Sequence, residues 1–314
     1  MKILIIDEMH ESIIPLLTRE GFAVDYRPDI GRSEVEAVIH DYDGLIIRSK
    51  LAMDRDLLEK AIQLKFIGRA GAGLDNIDLD YLKERDIPIL NAPEGNRDAV
   101  AEHAIGMLLA LFNHLPSAHE QVRDKIWQRE QNRGEELAGK TVGIFGFGNM
   151  GTALAKKLQG FDVRVLAYDK YKTGFGGPLA EEVSFEQLRE EADILSVHVP
   201  LTAETRNYFT RDVLNGFRKS FYFINTARGE VITFDTLNEV LESGKMKGAV
   251  LDVLENEKLQ ALSPAQKLSF EKLAQKPNVL FSPHVAGWTF QSYEKINKVL
   301  VNKLLAAVKN FQKL

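Results

Sequence analysis

Several side chains suited to acid–base or anion chemistry stand directly after short apolar runs. His284 follows residues 279–282, and a histidine can exchange a proton with an alcohol or a carbonyl near neutral pH. Arg228 follows residues 221–225, and its guanidinium could hold a carboxylate through two parallel hydrogen bonds. Taken singly, each is as readily a satisfied turn residue or a surface ion pair. Because parallel sheets bind ligands beyond the carboxyl ends of their strands, both are candidates for one site.

A carboxylate beside His284 would raise the pKa of the histidine and select one tautomer of its ring. Glu257 and Glu255 both follow the apolar run 249–253, and their spacing alone does not distinguish them. An exposed charged loop is the simpler interpretation of either residue. We predict Glu257 as the partner and keep Glu255 as the alternative.

A glycine-rich turn joins two apolar runs in the middle of the chain. The motif is Gly146-Phe147-Gly148-Asn149-Met150-Gly151, and Asp169 closes the next apolar run. The first glycine suits a tight turn, the second a close approach to a pyrophosphate and the third close helix–strand packing. Amides at the helix start would face the phosphates, and Asp169 could accept from both ribose hydroxyls. The motif therefore predicts NAD, and Lys170 and Lys172 keep NADP as the alternative.

The first third of the chain carries a second group of anion-binding candidates. Arg48, Ser49 and Lys50 follow one apolar run, and Arg69 with the turn Gly71-Ala72-Gly73 follows the next. This is more positive charge than a single carboxylate needs, and the turn adds backbone amides suited to an anion. A substrate with a second anionic group, such as a phosphate, would use them. Solvated side chains at strand ends are the alternative.

Alternating apolar runs and helical stretches must position these side chains, and they predict parallel sheets covered on both faces. The predicted strands of the first half are residues 3–6, 22–24, 45–47, 66–67 and 88–90. Those of the second half are 142–145, 163–167, 194–199, 221–225, 249–253 and 279–282. Helices are expected at 53–62, 79–85 and 98–113, and residues 91–96 read as a loop because of their proline, glycine and asparagines. The apolar spacing of Ile296, Leu300 and Leu304 predicts a last amphipathic helix. The strands of the second half already have their helices, so this helix could pack on the sheet of the first half.

Composition narrows the class of protein. The 314 residues are 45% hydrophobic, enough for about two domains, and the formal net charge of −5 argues against a nucleic-acid surface. The chain has no cysteine, which excludes disulfides, and its seven histidines lack metal-ligand spacing, so no metal is predicted. No apolar run approaches the ~20 residues of a membrane span. We expect a cytoplasmic protein with no membrane or nucleic-acid partner.

Seven motifs in order make the chain resemble the D-isomer-specific 2-hydroxyacid dehydrogenases over essentially its whole length. They are residues 68–78, Asn91-Ala-Pro-Glu-Gly-Asn96, Ala101-Glu-His-Ala104, the Gly146 motif, Val199-Pro-Leu-Thr202, Asn225-Thr-Ala-Arg-Gly229 and Pro283-His284. Within the family, the chain is most similar to the members that act on D-3-phosphoglycerate. The resemblance implies a Rossmann cofactor domain of residues 98–285 inserted into a flavodoxin-like substrate domain of residues 1–97 and 286–314. Both would be doubly wound parallel-sheet α/β domains, with a homodimer formed through the region 98–113 and Trp127.

The resemblance also implies a role for each candidate residue. Arg228 matches the substrate-carboxylate arginine, His284 the catalytic histidine and Glu257 its carboxylate partner. Arg48 and Arg69, with Ser49, Gly71, Ala72 and Gly73, match the substrate-binding positions. The cofactor-binding positions are matched by the glycine motif from Gly146 to Gly151, Asp169, His198, Pro200, Thr226, Ala227 and Asp252, where Asp252 would meet the nicotinamide carboxamide.

The sequence departs from the family pattern after two of these residues. Lys258 follows Glu257 where proline is common, and Trp288 lies where the family often continues in glycine and serine after the histidine. Trp288 could reshape the substrate pocket. The alternatives are therefore a glyoxylate or hydroxypyruvate reductase, another D-2-hydroxyacid dehydrogenase, and a non-catalytic NAD(H)-sensing protein similar to the corepressors of this fold. Because the chain ends soon after its last helix, no C-terminal regulatory domain is expected.

Overall fold

The computed structural model describes residues 1–311, which divide into two α/β units. The first unit combines Met1–Arg97 with the segment that begins at Trp288, and the second unit is Asp98–Gly287. Each unit is built on its own parallel sheet. The fold class predicted from the alternating runs is confirmed, whereas the assignment of substrate to one unit and cofactor to the other stays a prediction.

The first unit has a five-stranded parallel sheet in the order β2-β1-β3-β4-β5. Its strands are β1 (Lys2–Ile5), β2 (Ala23–Tyr26), β3 (Gly44–Ile47), β4 (Phe66–Arg69) and β5 (Ile89–Asn91). Its helices before the second unit are α1 (Ile13–Arg19), α2 (Arg32–Val38), α3 (Arg55–Leu58) and α4 (Leu79–Glu84). This order is the flavodoxin-like one, and it reverses direction between β1 and β3, where ligands bind in such sheets.

The second unit has a seven-stranded parallel sheet in the order β12-β11-β10-β9-β6-β7-β8. Its strands are β6 (Thr141–Phe145), β7 (Arg164–Tyr168), β8 (Glu181–Glu182), β9 (Ile194–Val197), β10 (Phe221–Asn225), β11 (Met246–Leu251) and β12 (Val279–Phe281). Its helices are α5 (Pro93–Phe112, which starts in the first unit), α6 (Leu115–Arg123), α7 (Asn149–Leu158), α8 (Phe185–Glu191), α9 (Arg211–Asn215), α10 (Phe234–Glu242) and α11 (Pro264–Ala274). The sequence did not predict β8, because two charged residues carry no apolar period.

Both faces of the second sheet are covered, as continuous apolar strands require. In β6, Ile144 packs into one core cluster and Phe145 into the other. The same alternation occurs in β10, where Phe223 and Ile224 face opposite clusters. This packing brings the carboxyl ends of β6, β9, β10 and β11 to one edge of the sheet, where the predicted site residues of this unit lie.

The last helix, α12 (Phe290–Phe311), covers one face of the first sheet. Its residues Ile296, Leu300 and Leu304 are spaced by four and share a core cluster with Ile3 and Ile46. None of the helices within residues 1–311 is long and apolar enough to span a membrane.

The loop predicted for residues 91–96 is wrong, because α5 begins at Pro93. Proline is favoured at the first position of a helix, where its missing N–H would have no partner. Gly95 is needed for packing, since a Cβ there would lie 2.6 Å from the Cα of Ile296 on α12. The helix predicted for residues 53–62 is also shorter, and only Arg55–Leu58 is helical.

Candidate active site

The turn between β6 and α7 has the geometry of a pyrophosphate-binding loop. Gly146 has φ +98°, and a Cβ there would lie 2.7 Å from the carbonyl oxygen of His198. A Cβ at Gly151 would lie 2.2 Å from the carbonyl oxygen of Gly146, so this glycine lets the helix approach the strand. Around Gly148, in contrast, no atom of the described residues lies within 4 Å of the Cβ position. That open space beside the amides at the start of α7 fits a dinucleotide phosphate.

Asp169 ties the end of β7 to this turn. Its Oδ2 accepts the N–H of Phe147 at 2.8 Å, and its Oδ1 accepts the N–H groups of Tyr171 and Lys172 at 3.0 and 3.1 Å. The carboxylate also borders a depression of about 550 Å³ whose other lining residues are Tyr168, Lys172, Thr173, Phe175, Glu182, Val183, Ser184 and Gln187. A carboxylate with an adjoining depression suits the ribose and base of the nucleotide.

The two lysines after Asp169 already have partners. Lys170 Nζ lies 2.7 Å from Glu204 Oε2, and the Tyr171 hydroxyl donates to the same carboxylate. Lys172 Nζ donates to the carbonyl oxygen of Phe147 at 3.3 Å. The Lys170–Glu204 ion pair reduces the positive charge offered to a 2′-phosphate, which supports NAD over NADP.

Three further predicted cofactor residues follow β9 and β10. His198 Nε2 lies 2.7 Å from Ser196 Oγ, and burial lowers the pKa of His198 to about 4, so its ring is neutral at pH 7. Pro200 is exposed, and its carbonyl oxygen accepts the Thr205 hydroxyl at 2.6 Å. Within residues 1–311, the buried Thr226 hydroxyl has no hydrogen-bond partner, as expected of a group that meets a polar ligand.

His284 sits in a tight turn after β12 that the buried Asp252 organises. The His284 residue has φ +55°, and its N–H donates to the carbonyl oxygen of Asp252 at 2.7 Å. The Asp252 carboxylate, 1% exposed, accepts the N–H groups of Val285 and Ala286 at 2.9 Å each and the Ser282 hydroxyl at 2.5 Å. The structure shows that Asp252 holds the turn of His284, and its predicted contact with the nicotinamide stays a prediction.

The imidazole of His284 faces Glu257, with Nδ1 2.9 Å from Oε1. The hydrogen bond to Glu257 raises the pKa of His284 above its usual value near 6.5, and this outweighs the opposing effects of partial burial and of the nearby Arg228 charge. Since an ionised carboxylate only accepts, Nδ1 carries the proton of the neutral ring and Nε2 is the basic nitrogen.

Glu255, the alternative partner, makes other contacts. Its Oε2 accepts the N–H of Phe234 at 2.7 Å, and its Oε1 accepts the Gln266 side chain at 3.1 Å. The carboxylate therefore joins the start of α10 to α11. The structure thus selects Glu257 as the residue in contact with His284.

Arg228 follows β10 in a segment held by Asn225. The Asn225 side chain accepts the N–H of Ala227 at 3.0 Å and donates to the carbonyl oxygen of Arg228 at 2.9 Å. A Cβ at Gly229 would lie 1.8 Å from the carbonyl oxygen of Leu254, so only glycine lets this segment lie against the loop that follows β11. Arg228 and His284 are thereby close enough for the arginine charge to lower the pKa of the histidine.

The loop after β3 in the first unit is held by Asp7, which sequence reasoning missed. The Asp7 carboxylate is buried and accepts the N–H groups of Arg48, Ser49 and Lys50 at 2.8, 3.3 and 3.1 Å. Lys50 Nζ donates to the carbonyl oxygens of Ile6 and Pro28. The amides of this loop are thus already used, and the Arg48 side chain is its main group for an external anion. The only sequence signal was an acid directly after the first apolar run.

The turn after β4 brings Arg69 back over its own backbone. Gly71 has φ +146°, and a Cβ there would lie 1.4 Å from Arg69 Nη1, which donates to the carbonyl oxygen of Ala70 at 3.2 Å. The Asn91 side chain donates to the carbonyl oxygen of Ala72 at 2.8 Å. The conformation of Gly71 is one that residues with a side chain rarely adopt. The predicted role of this turn and of Gly73 in substrate binding stays a prediction.

His103, on α5, is a second residue that sequence reasoning did not assign. Its Nε2 lies 2.9 Å from Ser282 Oγ and 3.6 Å from Asp252 Oδ1. His103 therefore contacts Ser282 and Asp252, which belong to the hydrogen-bonded turn of His284. Within residues 1–311, no group of three or more His, Cys, Asp or Glu side chains is placed to hold a metal ion.

Comparison with known proteins gives one family. Residues 105–286 match the family model for the D-isomer specific 2-hydroxyacid dehydrogenase, NAD binding domain. The chain is 36% identical to a hydroxypyruvate reductase of Thermotoga maritima, with 87% of each chain covered. It is 32% identical to a D-3-phosphoglycerate dehydrogenase of Archaeoglobus fulgidus over 98% of its own length, and it spans 58% of that protein. The D-lactate dehydrogenase of Aquifex aeolicus, solved with NAD and lactic acid, is 27% identical with a TM-score of 0.81, and the match covers 100% of this chain and 97% of that one.

Proposed function

The chain belongs to the D-isomer specific 2-hydroxyacid dehydrogenase family, and we propose that it oxidises D-3-phosphoglycerate to 3-phosphohydroxypyruvate by reversible hydride transfer at C2. The observation that carries the reaction class is the His284–Glu257 pair, on a turn held by Asp252 and beside Arg228. The phosphorylated substrate rests on the phosphoglycerate dehydrogenase relatives and on Arg48 and Arg69. The reaction would belong to cytoplasmic serine biosynthesis.

Arg228, His284 and Glu257 each have a separate role in the proposed reaction. Arg228 binds the substrate carboxylate and orients C2. His284 Nε2 accepts the proton of the C2 hydroxyl during oxidation, and Glu257 stabilises the imidazolium that forms. Bound NAD supplies the hydride acceptor. In the reduction direction, protonated His284 returns the proton to the C2 oxygen.

Two observations in the first unit favour a second candidate, reduction of an unphosphorylated acid such as hydroxypyruvate or glyoxylate. Asp7 uses the amides of residues 48–50, and the Arg69 guanidinium is turned back over Gly71. Both reduce the number of donors offered to a phosphate. The hydroxypyruvate reductase relative is consistent with this alternative.

A homodimer is the third part of the proposal. Helix α6 buries none of its residues within the chain, and Leu115, Val122 and Trp127 in and after it are exposed. Apolar side chains grouped in this way mark an interaction surface, and a second copy of the chain would cover it.

The decisive assay is NADH consumption with 3-phosphohydroxypyruvate beside unphosphorylated hydroxypyruvate. A kcat/KM at least tenfold higher for the phosphorylated acid, about 1.4 kcal/mol in the transition state, supports the proposed substrate. Equal or reversed values favour the small-acid reductase. In both assays His284→Asn should abolish turnover while NADH binding, followed by fluorescence, persists. Turnover that survives in this variant would contradict the role of His284.

A further inference from the structure

The Arg48 side chain stacks on two aromatic rings from the segment that starts the last helix. Its guanidinium carbon lies 4.2 Å from the centroid of Trp288 and 5.2 Å from that of Tyr293. The two ring centroids are 4.8 Å apart, and His10 meets Tyr293 edge-on at 5.5 Å. All four residues belong to the first unit. We call Trp288 and Tyr293 the aromatic shelf.

Stacking restrains a guanidinium without using up its hydrogen-bond donors. The attraction acts on the face of the guanidinium, whereas its N–H groups point outward in the plane. One of them, on Nη1, donates to the carbonyl oxygen of Glu8 at 3.2 Å, and the guanidinium also forms a hydrogen bond with the Tyr293 hydroxyl. The backbone of Arg48 is fixed as well, because its N–H donates to the buried Asp7. Both ends of this long side chain are thus held before a ligand arrives, which lowers the entropy cost of binding.

The position of Arg48 adds a functional argument. The residue follows β3 directly, at the point where the strand order of the first sheet reverses between β1 and β3. Asp7, which follows β1, already accepts backbone N–H groups of the loop at that point, including those of Arg48 and Lys50. The stacked guanidinium is therefore a positively charged group at this point that keeps donors for an incoming anion, whereas the Lys50 ammonium donates to the carbonyl oxygens of Ile6 and Pro28. Trp288 is 49% exposed, so part of its ring can also contact a ligand.

We propose that the aromatic shelf determines substrate specificity by holding Arg48 ready for the phosphate group of a phosphate monoester. Trp288 is then a positioning residue that selects for phosphorylated substrates, and the inference rests on the proposed function. The alternative, a tryptophan wall for an apolar substrate tail, fits less well because a cation already covers the ring.

The first test compares kcat/KM for 3-phosphohydroxypyruvate and hydroxypyruvate among four variants. Trp288→Ala should lower the preference for the phosphorylated acid about tenfold, through KM and not kcat. Trp288→Phe should restore most of the preference, because the ring face returns. Arg48→Lys should not restore it, since an ammonium cannot stack as a planar fork. Phe290→Ala is the matched control, as Phe290 is 93% exposed and makes no contact with the shelf among the described ring contacts.

The second test does not depend on turnover. The chain has two tryptophans, so Trp127→Phe leaves Trp288 as its only indole. Its fluorescence should change on titration with 3-phosphoglycerate at concentrations at least tenfold lower than with glycerate, and Arg48→Ala should remove this difference. Equal responses to the two acids would overturn the shelf proposal. A wild type without phosphate preference in turnover contradicts the proposed function, whereas a preference that survives Trp288→Ala contradicts only the shelf.

Discussion

The carboxylate of Asp252 holds the turn that carries His284, and the carbonyl oxygen of Asp252 accepts the N–H of His284 itself. A residue at the end of β11 thus sets the backbone of a residue that follows β12. The imidazole stays half-exposed while its main chain is anchored to a buried group. The ring can therefore contact a substrate while the backbone that carries it is held in place by Asp252.

Replacing Asp252 by asparagine should damage both stability and turnover. An amide in place of the carboxylate removes at least one acceptor from the N–H groups of Val285 and Ala286, and a lost buried hydrogen bond costs about 1–3 kcal/mol. We expect a lower Tm and a kcat reduced at least tenfold. Thermal unfolding and steady-state kinetics measure the two effects. Asp212→Asn, an exposed aspartate of the same unit, is the control, and an equal loss there would contradict the role of Asp252.

Glu257→Gln should lower the pKa of His284, because the hydrogen bond to Glu257 is the main cause that raises it. Oxidation needs neutral His284, so the pH range over which the oxidation rate rises should move to lower pH. Reduction needs protonated His284, so the fall of the reduction rate with increasing pH should also begin at lower pH. In the wild type, the pair should stabilise the fold fully below the unfolded pKa of His284, near 6.5, and lose that effect as pH rises through the higher folded value.

The matched control is Glu255→Gln. Glu255 lies two residues away but contacts Phe234 and Gln266, so its loss should lower thermal stability and leave the pH–rate profile in place. Profiles of kcat/KM in both directions decide the matter. A shift in the Glu255 variant with none in the Glu257 variant would reverse the assignment.

The glycines of the motif should separate folding from cofactor binding. Gly151→Ala places a Cβ 2.2 Å from the Gly146 carbonyl oxygen, so it should lower Tm and weaken NADH binding together. Gly148→Ala meets open space within the described residues and should weaken NADH binding at least tenfold with little change in Tm. Gly160→Ala, which also meets no atom within 4 Å there, should change neither property. Calorimetric unfolding and NADH titration test the series, and tight NADH binding by Gly148→Ala would argue against a pyrophosphate at this turn.

Cofactor preference should depend on Asp169 and on the partner of Lys170. We expect the wild type to use NADH at least tenfold better than NADPH. Asp169→Ser should reduce that preference, because the negative charge facing the 2′-position is lost. Glu204→Gln should raise NADPH use more modestly by releasing Lys170 from its ion pair. The ratio of kcat/KM for the two cofactors measures this, and a wild type that prefers NADPH would contradict the interpretation.

The proposed dimer can be tested at α6. Leu115→Asp with Val122→Asp places two charges among exposed apolar side chains and should convert a dimer into a monomer. Leu268→Asp, on the exposed side of α11, should leave the assembly unchanged. Analytical ultracentrifugation distinguishes the species. A wild-type chain that sediments as a monomer would rule out the proposal.

Local pattern was sufficient for most of the strands and for the positions of the chemical groups along the chain, but not for β8 or for the start of α5. The sequence by itself determined the parallel α/β class, the glycine turn with its closing Asp169, and the presence of Arg228, Glu257 and His284 at strand ends. These features depend on residues near one another in the chain, where apolar period and glycine spacing act directly.

Only the tertiary structure decided which of these groups meet. It selected Glu257 over Glu255, engaged the amides of residues 48–50 with Asp7, and stacked Arg48 on Trp288. It also started α5 at Pro93, where Gly95 packs against Ile296. In each case the partners lie on different elements or compete for one group. Their contact is set by how strands and helices pack, which the spacing of residues along the chain does not encode.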